Sequence, residues 1–344
     1  MGCRPGAAGM LTTETLQPVI DELTTVLGDS DNAKEILALV KESYLNHTNL
    51  ADATRHFVNA LMGEYGLVIL DPNERELKAE FASIIKEDLS GLQSYHKVNE
   101  SNAIFAKAGY TAQVNPREVN LFYINSGQRY RLVKTDTGFA TVGNEFTFSQ
   151  ADIDSMLAQT PEVFSPNVVL RPLYQETILP NICYVGGGGE LAYWLQYKAF
   201  FNHYGYELPV LALRSSYMLV DEGQASRIEK FVFADADLFE NTDALIKRYL
   251  QNAAGAGISF DAERSEAAAF FNNLSAKTAQ SDATLVGSIE AEHKKLQNYL
   301  AGLEAKLLKA HKTKEEASVN QIRKLKESLF PNDSLQERTA NFIP

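Results

Sequence analysis

Cysteine is nearly absent from this chain of 344 residues, which carries only Cys3 and Cys183. Two thiols, one of them in an odd amino-terminal tail, exclude a disulfide framework and any all-cysteine metal site, and they suit a reducing cytoplasm. Long apolar runs are missing as well. None approaches the ~20 residues needed to cross a bilayer, and the start MGCRPGAAGM has no apolar core of the signal-peptide kind. Met1-Gly2-Cys3 opens like a myristoylation signal, but Gly6 stands where Ser or Thr is required. Positive charge is in deficit: 32 Lys and Arg against 44 Asp and Glu give a net charge of -12, which argues against a broad nucleic-acid or anionic-membrane footprint. No His or Cys spacing suggests zinc, no Ser/His/Asp arrangement is recognisable, and no repeat of 20–50 residues is visible.

What is present reads first as helix. Thr13 can cap a helix carrying Leu16, Ile20, Leu23 and Leu27 that stops at Gly28. Asp31 can open a second with Ile36, Leu39, Val40 and Tyr44, and a third carries Ala53, Phe57, Ala60, Leu61 and Tyr65. Their apolar faces are expected in the core, and His47 and His56 are expected at the surface or in capping positions. Leu67-Val68-Ile69-Leu70 then predicts a buried strand, ended by Asp71-Pro72-Asn73 and followed by a helix from Glu74 to Glu87. Strand, acidic turn, helix is α/β grammar, and Asp71 is either a site residue at a strand end or a plain turn residue.

From Glu118 to Phe148 apolar residues alternate around Ser126-Gly127, Thr137-Gly138 and Gly143-Asn144, which predicts a β-meander of about four short strands. Arg129 and Arg131 share one face of their strand, either as a fork for a carboxylate or phosphate or as a solvated face. Ser149 caps a helix from Gln150 to Leu157, with Asp152 in its first turn.

The centre of the chain is SPNVVLRPLYQETILPNICYVGGGGELAYWLQ, from Ser165 to Gln196. A helix starting at Pro166, bent or shortened by Pro172 and blocked by Pro180, leads to an apolar strand with a buried, inert Cys183. Four glycines, Gly186 to Gly189, then open an aromatic helix. A strand that ends in glycines and starts a helix presents backbone N–H groups to anions. The run fits neither dinucleotide fingerprint nor P-loop: Leu191 stands where the former needs glycine, and no Gly-Lys-Ser/Thr follows. A tight turn onto a packed helix explains it equally well. Glu190 suits the helix dipole in that plain reading; in a site it opposes an anion and suits an amine or a magnesium ion. Leu208 to Leu213 predicts another buried strand with Arg214-Ser215-Ser216 at its carboxyl end, an anion-site pattern.

Residues 222–284 read as helical, with breaks at Ala234-Asp235 and Gly255-Ala256-Gly257. Beyond Leu285, Ile289, Leu296, Leu303, Ala310 and Ala317 recur every seven residues, and Val319, Ile322, Leu325 and Leu329 form a second stripe. This predicts a coiled-coil arm about 40 Å long, with its hairpin tip at Lys312-Thr313-Lys314.

Taken in order, these segments resemble one family, the bacillithiol biosynthesis cysteine-adding enzymes, BshC. The resemblance is carried by Val119-Asn120-Leu121-Phe122-Tyr123, Gly127-Gln128-Arg129, SPNVVLRPLYQETILPN, YVGGGGELAYWLQ, LPVLALRSS and SLFPNDSLQERTANF, and it covers nearly everything after Leu11. It implies an incomplete Rossmann-like α/β core, akin to class I nucleotidyltransferases and synthetases, with helical and β-meander insertions and an arm used for homodimerisation. On that pattern residues 11–110 form a helical region with part of the core and 111–160 the meander insertion. Residues 161–284 form core and helical connection, and 285–344 the arm and the start of a return. The implied activity joins cysteine to glucosaminyl-malate through an amide bond, the last step in making a low-molecular-weight thiol. ATP is the expected driver and Mg2+ its companion; nucleic acid and membrane are not expected partners.

The same resemblance implies catalytic roles for Arg171, Glu176 and Glu190. It places a nucleotide against Gly186, Gly187, Gly188, Gly189, Arg214, Ser215 and Ser216, and substrate against Asn120, Tyr123, Arg129, Gln175 and Tyr193. Family members are longer. The chain is therefore expected to lack the first Rossmann strands and the carboxyl-terminal tail, and to be inactive by itself. The second reading is a non-catalytic nucleotide-binding or dimerisation module.

Overall fold

Helices α1 (Gln17–Leu27), α2 (Asp31–Leu45) and α3 (Leu50–Met62) open a computed structural model that describes residues 7–254 and 259–339. Met1-Gly2-Cys3, the Gly255-Ala256-Gly257 break and Asn341-Phe342 lie outside the described residues. The caps of α2 and α3 are Ser30 and Asn49, whose side chains accept the N–H groups of Ala33 and Asp52 at 3.1 and 2.9 Å. Thr13 does not cap α1. It is buried one turn earlier, where its hydroxyl donates to the His47 carbonyl. The three helices pack on one another with half-buried faces; of their expected core residues only Ile20 and Ala53 are fully buried. His47 and His56 meet ring to ring at 5.0 Å and both bond to Ser43.

The expected strand Leu67–Leu70 is an exposed extended segment, with Val68 71% accessible. None of the described strands lies alongside it, so its backbone joins no ladder. The helix after it is divided at Phe81 into α4 (Arg75–Glu80) and α5 (Ala82–Gly91), because Phe81 turns wholly into the core. Helix α6 (Gln93–Lys107) follows across Leu92, which takes a left-handed φ of 53°.

The meander is present as β1 (Leu121–Asn125), β2 (Gln128–Thr135), β3 (Gly138–Thr141) and β4 (Thr147–Phe148). A fifth strand, β5 (Phe164–Pro166), pairs with the free edge of β1, giving the antiparallel order β4-β3-β2-β1-β5. Ser126 and Gly127, with φ of 49° and 73°, make the two-residue hairpin whose twist matches its strands. Gly138 is required for a different reason: a Cβ there would lie 2.2 Å from the Phe148 carbonyl oxygen. Ser149 and Asp152 form a reciprocal capping box on α7 (Gln150–Gln159). The core gathers Phe81, Leu121, Leu132, Ile153, Phe164 and Leu173 with the aromatic set Trp194, Tyr197, Phe200 and Phe201.

Pro166 belongs to β5, so the helix expected from it starts later, as α8 (Arg171–Ile178). Pro172 then falls in the first turn, where a missing N–H costs no helical bond. Strand β6 (Cys183–Gly186), helices α9 (Gly188–Trp194) and α10 (Lys198–His203), and strand β7 (Val210–Leu213) form a crossover unit. Its two strands are parallel, paired from Cys183↔Val210 to Gly186↔Leu213. This is the Rossmann-like grammar, reduced among the described residues to one pair. The strands are not buried as expected. Cys183 is exposed, as are Val185, Val210 and Leu213, since among the described residues no further strand pairs with these two.

The chain divides between Ser215 and Ser216 into two units. The second contains α11 (Glu222–Lys230), α12 (Thr242–Ala254), α13 (Asp261–Ser281), α14 (Val286–Lys314) and α15 (Glu316–Leu329). The stripe Val319, Ile322, Leu325 and Leu329 is buried against Phe231, Leu245, Ile246 and Leu250. Helix α14 finds its partner on the other side from the expected one. It runs antiparallel to α13, with Arg264 bonded to Glu304 and Phe271 stacked on His293 at 4.9 Å. The hairpin turn is therefore at Asp282–Leu285, and at Glu315 the chain only kinks into α15.

Gly138→Ala should lower unfolding stability by about 1–3 kcal/mol through overpacking against Phe148. Urea unfolding checks this, and an unchanged midpoint contradicts the close approach.

Candidate functional site

Arg171 opens α8, and a run of buried and half-buried polar groups holds that opening in place. The Asn167 side chain accepts the N–H groups of Val169 and Leu170 at 2.8 and 3.3 Å, and its carbonyl accepts that of Arg171 at 2.8 Å. Asn167 in turn donates to Asn120 Oδ1 at 2.9 Å, and Asn120 donates to Ser94 Oγ at 2.8 Å. Ser94 donates its hydroxyl and its N–H to the buried Asp88 carboxylate at 2.8 and 2.6 Å. Burial pushes the Asp88 carboxyl above its ordinary range, opposed by the two Ser94 bonds. Asn120, expected on substrate, is 1% accessible and fully engaged in this brace.

So supported, the Arg171 guanidinium donates to Gln175 Oε1 at 3.0 Å and to the Tyr193 hydroxyl at 3.2 Å. Next to it Tyr184 stacks on Trp194 with ring centroids 4.1 Å apart and donates to Glu190 Oε1 at 3.3 Å. The Tyr184 phenol is raised chiefly by burial, with Tyr193, Arg171 and Glu190 all close enough to act on it. Glu190 Oε2 accepts the Gly187 N–H at 2.8 Å, a capping role at the head of α9. A Cβ on Gly186 would meet the Tyr184 ring at 2.6 Å, whereas nothing lies within 4 Å of where Gly188 or Gly189 would carry one. The Arg214 N–H prolongs the ladder to the Gly186 carbonyl at 2.9 Å, and its guanidinium passes 3.9 Å from the Cβ position of Gly187.

Arg171, Gln175, Glu190, Tyr193, the glycines and Arg214 are thus one contiguous surface. Glu176 is not part of it. It is 3% accessible, and both its oxygens bind Asn181, at 2.8 and 2.9 Å, bracing the turn after α8. Tyr123 packs in the sheet against Phe148 and Phe146 at 4.9 and 5.3 Å. Ser215 closes the first unit and Ser216 opens the second.

A second cluster also includes Arg171. A cleft of about 750 Å³ is lined by Asp71, Lys78, Arg129, Arg171 and Tyr174, with Ala8, Met10, Ala51 and Ile124 as apolar walls. Of the arginine pair on β2 only Arg129 reaches it; Arg131 lines a separate groove with Arg117. Arg129 donates to the Pro166 carbonyl at 2.8 Å and stacks 3.9 Å over the Phe122 ring. Lys78 is 3% accessible, and its ammonium donates to the Phe164 carbonyl at 2.5 Å. Burial and the charge of Arg129 lower its pKa to about 8, against a smaller opposing pull from Asp71. Asp71 also makes the turn foreseen for it, accepting the Asn73 N–H at 2.8 Å. Lys78 escapes a sequence reading because a single lysine on an amphipathic helix looks like a solvated residue.

A parallel strand–helix–strand unit with an open glycine loop, followed by a helical hairpin unit, defines a Rossmann-like α/β protein with an appended coiled coil. The chain belongs to the bacillithiol biosynthesis BshC family. The family model for the N-terminal Rossmann-like domain matches residues 3–215, and that for the C-terminal coiled-coil domain matches residues 217–344. A Flavobacterium johnsoniae protein named "Putative cysteine ligase BshC" is 40% identical over 98% of this chain and 63% of its own length. Proteins with the same printed name from Christiangramia forsetii and Salinibacter ruber are 37% and 32% identical, with 98% of this chain and 62% and 63% of their own lengths covered. The chain spans under two thirds of the length of these relatives. No helix among the described residues is long and apolar enough to cross a membrane.

Two outcomes follow from the braces. Lys78 binds its proton less tightly folded than unfolded, so stability should rise with pH between about 8 and 10.5. Comparing the pH dependence of urea unfolding with that of Lys78→Met should remove a difference of roughly 3 kcal/mol at most; identical slopes contradict it. Asn120→Ala should cost about 1–3 kcal/mol of stability, measured by the same titration.

Proposed function

We propose that this chain supplies binding surface for a ligase that joins the carboxyl group of cysteine to the amino group of glucosaminyl-malate. Membership in the BshC family, over both domains in order, is the observation that carries the reading. The surface around Arg171 supports it chemically. A carboxylate is a poor electrophile, so amide formation needs one of its oxygens turned into a leaving group, and the attacking amine must give up a proton. ATP supplies that leaving group when bound. The Gly188 and Gly189 backbone is sterically open and Arg214 lies beside the preceding Gly187, which fits an anionic group at the loop, whereas the Gly187 N–H is already held by Glu190.

Arg171 orients a carboxylate, held to its direction by Gln175 and Tyr193. Glu190 is the acceptor for the amino group or for a Mg2+ ion beside the loop. Homodimerisation belongs to the same reading: Phe270 on α13 and Tyr299 on α14 are 63% and 65% accessible, apolar surface the hairpin leaves uncovered.

Titration calorimetry with glucosaminyl-malate and with ATP tests the assignment. Arg171→Ala should weaken the first and Arg214→Ala the second by about tenfold or more. If the chain binds neither compound, or binds both unchanged in the variants, the reading fails.

A further inference from the structure

Lys78 is a buried amine with more donors than partners. It is 3% accessible, gives one hydrogen bond, to the Phe164 carbonyl at 2.5 Å, and lies 5.4 Å from the centre of the Tyr174 ring. An ammonium has three N–H donors, so two of them meet no protein acceptor among the described residues. Charge does not account for the burial either. Arg129 stands close enough for its charge to disfavour the protonated lysine, and Asp71 opposes it more weakly. Arg129 donates to the Pro166 carbonyl at 2.8 Å, two residues along β5 from the carbonyl that Lys78 holds. Carbonyls of alternate strand residues leave on one side, about 7 Å apart, so both cations are tied to the same short stretch of backbone. With its pKa lowered to about 8, roughly half of Lys78 is neutral at pH 8, against about 0.3% of a lysine at 10.5. The neutral amine is the nucleophilic form.

We propose that Lys78 is a carbamylation site, where carbon dioxide adds to Nζ and the resulting carbamate is held by Arg129. The nitrogen lone pair forms the N–C bond, one C=O π pair moves onto oxygen, and the nitrogen gives one proton to water. The product suits its surroundings where the ammonium does not. A carbamate nitrogen keeps a single N–H, which the Phe164 carbonyl accepts. Its two oxygens have as neighbour a guanidinium of five donors, one of them engaged at Pro166. The side chain passes from one positive to one negative charge, so its pairing with Arg129 changes from repulsion to attraction. Size selects the electrophile. Carbon dioxide is linear, uncharged and three atoms long, and it reaches an amine this buried at the wall of the cleft without displacing Phe164 or Tyr174. The site is independent of the ligase reading.

Trapping tests the site on the chain without any turnover. The protein is incubated with isotope-labelled bicarbonate at about pH 8, alkylated with triethyloxonium, and mapped by tandem mass spectrometry. Label on Lys78 should exceed by about tenfold or more that on Lys34, a surface lysine paired with Asp31. Arg129→Gln should lower the Lys78 label by about tenfold, and Lys78→Met should abolish it while leaving the Lys34 label unchanged. Mapping reads the site in the unaltered protein, so the result stands even where a variant fails to fold. Urea-unfolded chain should label Lys78 and Lys34 alike. Equal labelling of the two in the folded chain, or no label on Lys78, overturns the proposal and leaves an ammonium held by the Phe164 carbonyl and the Tyr174 ring. An unchanged Lys78 label in folded Arg129→Gln overturns the part given to Arg129.

Discussion

The first unit depends on a chain of hydrogen bonds running from the buried Asp88, Ser94 and Asn120 to the half-buried Asn167. It links the end of α5, the start of α6, the approach to β1 and the loop between β5 and α8. Polar groups this deep are tolerated only when each finds a partner, and here each donor meets an acceptor on a different element. Such a network tolerates little displacement, because moving one member strands the next. The direction in which Arg171 leaves the core is set by it. Asn120 therefore matters to the site from a distance, through the Asn167 cap, and touches none of the exposed surface.

Much of this architecture was legible in the residues. The capping box of Ser149 and Asp152, the meander around Ser126-Gly127 and the buried stripe Val319 to Leu329 follow from local chemistry that tertiary contacts did not override. Other signals were ambiguous for a physical reason. Leu67–Leu70 and Cys183–Gly186 are apolar as buried strands are, but apolarity reports what a segment can cover, and pairing depends on neighbours that periodicity does not name. The heptad spacing of α14 announced a seam without saying whether α13 or α15 would fill it. Glu176 and Glu190 looked alike as loop-side carboxylates; one is sealed against Asn181 and the other stands at the surface with one oxygen on Gly187.

Charge in the first unit is divided between the two surfaces that Arg171 joins. On one side the glycine loop has an acidic residue at its head and a guanidinium across from it. On the other, three cations converge on a cleft with a single carboxylate. A net charge of -12 for the chain conceals this local reversal. Global charge therefore excludes partners with broad footprints while remaining silent about a small anionic ligand.

The parallel pairing of β6 with β7 bears on the order of events during folding. The Gly186 carbonyl is held by the Arg214 N–H, so the loop takes its final shape only after the whole crossover has been traversed. A contact of that sequence separation is made only once a loop has been closed. The crossover through α9 and α10 is therefore the element on which the shape of the glycine loop depends.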